Sequence, residues 1–428
     1  MQYINSLAYA QSLDKKDPLK SFRDEFYIPK HKGQDTLYFT GNSLGLQPKG
    51  TAKIINEELE LWKERGVEGH FEGERPWFHY HKFAKESLAK IVGAKPEEVV
   101  PMNSLTTNLH LLMVSFYRPT AKRFKIITEA GAFPSDQYAL ESQVKFHGFN
   151  PDEAIIELAP REGETTIRTE DIVEAIEHNA SQLALVMFSG VQYFTGQLFD
   201  IETITAAGHT AGAVVGFDLA HAAGNAPLAL HNHQVDFAVW CHYKYLNSGP
   251  GSVAGAFVHS KHANNPNLPR FAGWWGHNEE ERFLMKKGFR PMAGADGWQL
   301  SNANVLTTAA LLASLEVIDK AGFEKMRSKS VLLTGYLEFL LNDTFSSHEI
   351  LILTPNDPSQ RGAQLSISLI NNGRKVFDAL AAQGVVADWR EPNLNEGQAG
   401  VIRIAPTPLY NRFEDVFTFV KLLRKAIG

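Results

Sequence analysis

Short apolar runs alternate with segments of helical periodicity through the middle of the chain. The runs end in polar or small residues, which is typical of buried parallel strands. This alternation predicts an α/β fold with a mainly parallel sheet between helices on both faces. The predicted strands span residues 124–128, 183–188, 213–217, 237–241 and 256–258, and the predicted helices span residues 50–65, 81–92, 109–117, 169–177, 201–212 and 305–321.

A second, smaller α/β layer is predicted towards the end of the chain. Near the start, Phe22, Phe26 and Tyr27 recur at helical spacing, which predicts a helical arm that packs on the body. We therefore expect a large domain over residues 50–304 and a small domain that combines residues 1–49 with 305–428. Helices and strands of the small layer are predicted over residues 326–341, 364–369, 374–383, 401–405 and 413–427.

Two of the predicted strands are followed by residues that can bind a cofactor or take part in catalysis. The run 213–217 is followed by Asp218, and the run 237–241 is followed by His242, Tyr243 and Lys244. Ligands of open α/β sheets bind beyond the carboxyl ends of the strands. A lysine there can form a Schiff base, and an aspartate can hold a pyridinium nitrogen. The alternative is that Asp218 caps a turn and Lys244 points into solvent.

The context of these two residues favours the chemical interpretation. His221 follows Asp218 at a spacing of three residues, and Gly249-Pro250-Gly251 follows Lys244. Together these features resemble the fold-type I enzymes that use pyridoxal 5′-phosphate (PLP). The Gly-rich turn has no phosphate-binding lysine and precedes a strand, so it does not predict a P-loop.

Three further positions are open to two interpretations each. Thr106 precedes the predicted helix 109–117, where a hydroxyl either caps the helix or helps to bind a phosphate. Phe133 follows a strand and either stacks on a cofactor ring or joins the core. Arg403 lies among apolar neighbours in a strand, so it needs an anionic partner, which is either a substrate or an internal carboxylate.

Composition excludes several classes of protein. The 428 residues carry a net charge of −6, without the basic excess of a nucleic-acid binder. The single cysteine, Cys241, excludes an internal disulfide and a thiolate zinc cluster, and we expect no metal site. The N-terminal residues do not predict a signal peptide, and no apolar run approaches the roughly 18 residues of a membrane span.

Seven motifs, in order along nearly the whole chain, together resemble the kynureninase family. Each motif is weak by itself, and the specificity lies in their order and spacing. They are Gly41-Asn42-Ser43-Leu44-Gly45-Leu46-Gln47-Pro48, Phe133-Pro134-Ser135-Asp136, Asp218-x-x-His221, His242-Tyr243-Lys244-Tyr245-Leu246-Asn247, Gly273-Trp274-Trp275-Gly276-His277, Ser301-Asn302 and Arg403-Ile404-Ala405-Pro406-Thr407-Pro408-Leu409-Tyr410-Asn411.

The resemblance implies hydrolysis of kynurenine to anthranilate and alanine, with PLP as the cofactor. It implies that Lys244 carries the Schiff base, that Asp218 faces the pyridine nitrogen with support from His221, and that Tyr243 is the acid–base group. Arg403 would pair with the substrate α-carboxylate. The cofactor set implied by the resemblance is completed by Leu105, Thr106, Phe133, Asp136, Ser189, Trp274 and Asn302, and the substrate set by Ser43, His70, Ser301 and Asn302.

Three polar residues suggest which substrate is preferred. His70, Ser301 and Asn302 resemble the branch of the family that acts on 3-hydroxykynurenine. A site that offers hydrogen bonds to a ring hydroxyl discriminates against a substrate without one. We therefore expect the hydroxylated substrate to be preferred.

The resemblance also implies a cytoplasmic homodimer with the site at the interface, where Trp274 reaches across, and a role in tryptophan catabolism or NAD biosynthesis. Its ligands would be small molecules, without nucleic acid or membrane. A cysteine desulfurase of the same fold needs a reactive cysteine on a mobile loop, and Cys241 lies in a predicted strand. An aminotransferase would use the same lysine, aspartate and arginine, and a PLP-binding protein without turnover is a third alternative.

Overall fold

The structure is a computed structural model that describes residues 3–263, 265–391 and 400–428. The strands are β1 (Lys30–His31), β2 (Gln34–Asp35), β3 (Leu37–Tyr38), β4 (Val99–Met102), β5 (Lys125–Glu129), β6 (Ile155–Leu158), β7 (Leu183–Ser189), β8 (Val214–Asp218), β9 (Phe237–Cys241), β10 (Ala254–Val258), β11 (Ile350–Ile352), β12 (Leu365–Leu369), β13 (Val385–Val386), β14 (Asp388–Arg390) and β15 (Val401–Ile404).

The α-helices alternate with these strands over most of the chain. They are α1 (Leu7–Lys16), α2 (Thr51–Arg65), α3 (Lys85–Val92), α4 (Leu105–Phe116), α5 (Pro134–Phe146), α6 (Pro151–Ala154), α7 (Thr169–Asn179), α8 (Ile201–Thr210), α9 (Ser260–Ala263), α10 (Val305–Ala321), α11 (Phe323–Thr344), α12 (Gly373–Ala382) and α13 (Phe413–Ile427). Within the described ranges, no helix is long and apolar enough to cross a membrane.

The larger sheet has seven strands in the order β4-β10-β9-β8-β7-β5-β6. The pairs from β9 to β6 are parallel, and β10 runs antiparallel to both of its neighbours. The carboxyl ends of the parallel strands therefore meet at one edge of the sheet. This arrangement confirms the predicted α/β fold with a mainly parallel sheet.

Burial explains why the apolar runs became central strands. All five residues of β9 are buried, as are the last four of β8. Helices cover both faces, and a fully buried valine or phenylalanine stabilises such a layer by about 1.5–3 kcal/mol. The polar residues Asp218 and Ser189 are the last residues of β8 and β7, and Lys244 follows β9 by three positions.

The smaller sheet has the order β11-β12-β15-β14 and is antiparallel throughout. The N-terminal arm packs on this part of the chain. The Asp14 carboxylate accepts hydrogen bonds from the backbone N–H groups of Phe413 and Glu414, at 2.8 and 3.0 Å, and so caps α13. Lys329 and Asp17 form a buried ion pair at 2.6 Å. The domain boundaries predicted from the sequence stay a prediction.

Two segments differ from their predicted secondary structure. The arm is not one helix, because α1 ends before Asp17, whose backbone is extended in front of Pro18. A proline disfavours helical geometry in the residue before it. A 3₁₀ turn then carries Phe22. The segment after α2, for which no helix or strand was predicted, contains a 3₁₀ turn over Gly66–His70.

A buried carboxylate, Asp236, anchors the amino end of β9. Lys244 follows the carboxyl end of the same strand. Asp236 accepts from the Val215 backbone N–H at 2.7 Å and contacts the ring nitrogens of His209 and His262 at 2.9 and 2.7 Å. The Lys261 amine lies 2.8 Å away. Burial raises the Asp236 pKa, but the hydrogen bonds from His209, His262 and Lys261 outweigh it and hold that pKa below its usual range.

Asp236→Asn is therefore expected to lower the free energy of unfolding by about 3–5 kcal/mol, because the partly buried donors His209, Lys261 and His262 lose their charged acceptor. The depressed pKa means that this contribution is present above pH ~4 and is lost as the pH falls further. Denaturant unfolding at pH 7 and at lower pH measures both effects. Asp152→Asn, at an exposed position, is the control. An equal loss in both variants would contradict the role of Asp236.

Candidate active site

The carboxyl edge of the parallel strands surrounds a cavity of about 120 Å³. Lys244 and Asp218 both line it, as the strand-end rule predicts. The rest of the lining comes from the segments that follow β5, β7, β8 and β9 and from the first turns of α4 and α5. The full lining is Leu105, Thr106, Phe133, Ser135, Asp136, Ser189, Val191, Tyr193, Asp218, Ala220, His221, Tyr243 and Lys244.

The loop around Gly45 packs directly on the lysine segment. The Gly45 N–H donates to the Tyr243 carbonyl at 2.8 Å. A Cβ atom at Gly45 would lie 2.4 Å from the Lys244 carbonyl oxygen and 2.8 Å from the Asn247 Cα. Only glycine allows this approach, which explains the glycine in that motif. The loop therefore fixes the backbone from which Lys244 projects.

The Lys244 amine faces the aromatic wall of the cavity. Its nitrogen lies 5.8 Å from the centre of the Phe133 ring and 5.9 Å from the centre of the Tyr243 ring. Phe133 is half exposed and contacts Tyr193 edge-on, with ring centres 5.3 Å apart. A flat ligand can lie against a partly exposed ring of this kind.

Two helices begin at the same end of the cavity. Leu105 is the first residue of α4, and Pro134 is the first residue of α5. The hydroxyls of Thr106 and Ser135, each the second residue of its helix, lie 2.7 Å apart. Free backbone N–H groups and helix dipoles at such ends favour an anion. The prediction placed the start of α4 four residues too late, because Thr106 and Thr107 looked like capping residues.

Three buried carboxyl groups lie at or beside the cavity. Burial raises the pKa of Asp218, and the positive charge of Lys244 opposes that effect. Burial, and then the charge of Asp218, raise the pKa of Asp136 well above its usual range. Glu129 ends β5 and accepts hydrogen bonds from the Ser189 hydroxyl at 2.5 Å and from the Ser189 N–H at 3.2 Å. Burial raises its pKa also.

His221 is buried, and its Nδ1 atom has no hydrogen-bond partner within the described part of the chain. Burial, and then the charges of Lys244 and Arg403, lower its pKa well below the usual range, so the ring is neutral. The backbone of His221 is fixed because its carbonyl accepts from the Asn225 side-chain amide at 2.8 Å. A buried nitrogen without a partner is costly and is typical of a group that meets a ligand.

Arg403 lies beyond the cavity wall and is 1% exposed. Its Nη2 atom contacts Asp388, and its Nη1 atom donates to the Tyr193 carbonyl at 2.6 Å. Burial lowers the pKa of Arg403, and the Asp388 charge opposes that effect. Of the two partners considered for this arginine, the described structure contains the internal carboxylate. Tyr193 joins Arg403 to the cavity that it lines.

Five other predicted residues do not line this cavity within the chain: Ser43, His70, Trp274, Ser301 and Asn302. Ser43, Ser301 and Asn302 are exposed. His70 packs edge-on against Trp77, with its Nδ1 atom 3.0 Å from the Val67 carbonyl. Trp274 is 45% exposed, and its indole N–H donates to the Arg282 carbonyl at 3.3 Å.

Tyr193 and Glu129 were missed in the sequence analysis. A signal for both existed, because Glu129 directly follows the predicted strand 124–128, and Tyr193 lies five residues past the strand 183–188. The strand-end rule that selected Asp218 applies to them equally.

The residues at the cavity fit PLP. The fit rests on a lysine amine, a buried acid beside an unpartnered neutral imidazole, an exposed ring face and two helix N-termini with adjacent hydroxyls. These groups match an aldehyde, a pyridine nitrogen, an aromatic ring and a phosphate in turn.

Solved structures with the same fold include cysteine desulfurases and a cystine C-S lyase, and in one of the structures a glycine is covalently linked to a PLP cofactor. The chain superposes on a cysteine desulfurase from Thermococcus onnurineus with a TM-score of 0.73 and 17% identity, covering 92% of this chain and 94% of the other. For a cysteine desulfurase from Escherichia coli the TM-score is 0.75 at 18% identity, with coverage of 95% and 97%. At such identities the likeness concerns the fold. Fold and cavity together define a fold-type I PLP-dependent enzyme.

Similarity over the whole sequence narrows this class to one family. The chain is 54% identical to a kynureninase from Flavobacterium psychrophilum, covering 100% of this chain and 99% of the relative. It is 54% identical to a kynureninase from Myxococcus xanthus, with coverage of 98% and 97%. The family model for the kynureninase C-terminal domain matches residues 326–423. The chain belongs to the kynureninase family of PLP-dependent hydrolases.

Gly45→Ala is expected to displace the lysine segment, because the added methyl group would meet backbone atoms. Overpacking of this kind costs about 1–3 kcal/mol. The expected result is a lower thermal unfolding temperature together with an altered visible absorbance of bound PLP. Gly50→Ala is the matched control, since a Cβ atom there meets no atom within 4 Å. Unchanged absorbance in Gly45→Ala would contradict the contact with Lys244.

Proposed function

We propose that the protein cleaves L-kynurenine and 3-hydroxy-L-kynurenine hydrolytically, giving anthranilate or 3-hydroxyanthranilate and L-alanine. One water is consumed and the Cβ–Cγ bond breaks. The hydroxyl from water stays on the acyl carbon, which becomes the carboxylate of the aryl product, and Cβ takes up a proton to become the methyl group of alanine. The observation that carries this proposal is the pairing of Lys244 with buried Asp218 in one cavity, in a chain of this family.

Different residues of the cavity would bind different parts of the cofactor. Lys244 would anchor it covalently, Asp218 with His221 would face the pyridine nitrogen, and Phe133 would lie against the ring. When bound, PLP supplies an electron-withdrawing ring that takes up the negative charge left on the substrate. Leu105, Thr106 and Tyr243 would hold the phosphate end, with Asp136 and Ser189 as further contacts from the cavity. The predicted contacts Trp274 and Asn302 lie outside the cavity and would come from a second copy of the chain.

Tyr243 is the proposed acid–base group at the substrate ketone. Burial raises its pKa above the usual range, so the phenol holds its proton at neutral pH. A protonated phenol can donate to the ketone oxygen while water adds to the carbon. Ser43 lies in the loop that packs on the Tyr243 carbonyl, which supports a place for Ser43 near the substrate.

Arg403 is the proposed partner of the substrate α-carboxylate. It is buried and contacts Tyr193, which lines the cavity. A guanidinium has five donors, and the Asp388 and Tyr193 contacts use two of them. The remaining donors are enough for a bidentate carboxylate.

An exposed aromatic surface supports a homodimer. This aromatic face consists of Phe71, Phe78, Trp274 and Phe283. Phe283 stacks on Phe78 at 5.7 Å and contacts Trp274 at 5.7 Å. Phe71, Trp274 and Phe283 are 58, 45 and 52% exposed. Large aromatic side chains grouped on a surface are typical of protein interfaces.

The predicted residues that do not line the cavity border this face. His70 contacts Phe71 at 6.2 Å between ring centres. The backbone N–H of Trp275 donates to the Leu300 carbonyl at 3.2 Å. This contact brings Trp274 beside Ser301 and Asn302. We infer that a second copy of the chain supplies these residues to the site.

His70, Ser301 and Asn302 are the basis of a proposed preference for the hydroxylated substrate. Each can hydrogen-bond to a ring hydroxyl, and a substrate without that hydroxyl leaves the polar groups unpaired. We further propose that the protein acts in the cytoplasm, in tryptophan catabolism through the kynurenine pathway, which also feeds NAD biosynthesis.

The test of the function uses PLP-loaded protein with kynurenine and with 3-hydroxykynurenine, followed by the release of aryl product and alanine in equal amounts. We expect turnover of both, and a loss of at least about 10⁴-fold in Lys244→Ala, because among the described residues that line the cavity no other has a side-chain amine to anchor the cofactor. Asp152→Asn is the control and should keep full activity. Transfer of the amino group to a keto acid without alanine release would instead favour an aminotransferase.

The ratio of kcat/KM for the two substrates tests the preference separately. We expect a ratio of about 10-fold or more in favour of 3-hydroxykynurenine, and a smaller ratio in Asn302→Ala. A wild-type ratio in favour of kynurenine would refute the aryl-pocket proposal and leave the activity intact.

Mixed dimers test whether two copies share a site. Lys244→Ala and Asn302→Ala proteins are mixed, dissociated and reassociated, so that one site of each mixed dimer has both intact residues if the copies share sites. Random pairing should then move the kcat/KM ratio for the two substrates from the Asn302→Ala value part of the way back to the wild-type value. Lys244→Ala mixed with Asp218→Ala is the control without recovery, because both residues line one cavity. Absence of recovery in the first mixture would contradict the shared site.

A further inference from the structure

Three charged side chains form a cluster on two neighbouring strands of the smaller sheet. Asp388 of β14 lies directly opposite Arg403 of β15. The Asp388 Oδ2 atom accepts from Arg403 Nη2 and, at 3.2 Å, from Arg390 Nη2. One carboxylate is therefore shared by two guanidinium groups.

Tyr193 connects this cluster with the cofactor cavity. The guanidinium carbons of Arg403 and Arg390 lie 5.7 and 5.8 Å from the centre of its ring. Tyr193 also borders a larger cleft of about 870 Å³, which Arg390 lines. Arg403 is thus the inner cation of the cluster, with 1% of its side chain exposed, and Arg390 is the outer one, with 38% exposed.

The charges of the cluster do not cancel. Two guanidinium groups and one carboxylate leave a net charge of +1. The Nε atoms of Arg403 and Arg390 are both buried without a hydrogen-bond partner among the residues that the structure describes. Unpaired buried donors on a cationic group are costly, and an incoming carboxylate would satisfy them. The cluster therefore has both the charge and the free donors for one carboxylate ligand.

Arg390 determines whether the cluster has a net positive charge. Without it, Arg403 and Asp388 would form a neutral pair, and a substrate carboxylate would have to compete with Asp388 for Arg403. With Arg390 present, Asp388 keeps a second partner, and Arg403 remains attractive to an external anion. Like-charge repulsion between the substrate and Asp388 is offset in the same way.

We propose that Arg390 is a specificity residue for the α-carboxylate of the substrate. It shares Asp388 with Arg403 and so keeps the positive charge of Arg403 available to that carboxylate. This inference rests on the proposed role of Arg403. It extends that role to a residue on the cleft side, which would also meet the carboxylate on its way in.

L-alanine and L-alaninamide are the probes, because they differ only in whether a carboxylate or a neutral amide is present. Their binding to the PLP-loaded protein is followed by the visible absorbance of bound PLP. Arg390→Gln should weaken alanine binding about tenfold and leave alaninamide binding within about twofold. Arg390→Lys keeps the charge and should restore most of the alanine affinity. Arg118→Gln, at an exposed position, is the control.

A double variant separates charge from structure. In the Arg390→Gln protein, Asp388→Asn returns the cluster to a net charge of +1, so it should recover alanine affinity. If the double variant binds alanine no better than Arg390→Gln, or if alaninamide binding falls equally, the proposal is wrong. A variant that fails to fold would lose both probes, and Arg390→Lys then decides the question.

These outcomes are distinct from failure of the proposed function. The probes need no cleavage of kynurenine, so an inactive protein with the expected alanine selectivity would refute the reaction and keep the Arg390 assignment. Arg403→Gln should lose alanine binding and keep alaninamide binding. If Arg403→Gln leaves alanine binding unchanged, the α-carboxylate role of Arg403 is wrong, and the inference falls with it.

Discussion

The burial of Asp218 at the end of β8 is the constraint on which the rest of the site depends. A carboxyl group in that position meets a low dielectric, and burial raises its pKa. Its charged form is stabilised by the Ala220 N–H at 2.7 Å and by the positive charge of Lys244. The two residues come from adjacent parallel strands, so the sheet itself fixes the pair.

Three other buried side chains near Asp218 have pKa values that are shifted by burial and by neighbouring charges. Asp136 and Glu129 are also buried, and two further full charges beside Asp218 would repel it. Burial raises the pKa of both groups, and the nearby charge of Asp218 adds to that effect, so the charged form of each is disfavoured beside Asp218. His221 stays neutral for the opposite reason, because burial and nearby cations lower its pKa.

The sequence was sufficient for the features that depend on local pattern. Periodicity predicts the strands that precede Asp218 and Lys244, the mainly parallel direction of the strands and most of the helices. The strand-end rule then selects Asp218 and Lys244. The start of α4 was placed late because threonines in a first turn resemble capping residues. The Asp388 partner of Arg403 could not be predicted from residue spacing, since it depends on the register of β14 against β15.

The remaining predicted residues lie apart from the cavity of the single chain. Most of the residues predicted to contact the cofactor meet within a single chain, because one sheet edge and two helix ends bring them together, whereas Trp274 and Asn302 lie outside that cavity. The groups predicted for the aryl ring border an exposed aromatic face instead. Burying that face against a second copy gains apolar area and brings those polar side chains to a new neighbour at the same time. Association and substrate recognition would then depend on the same contacts, so a change in the aromatic face would affect both.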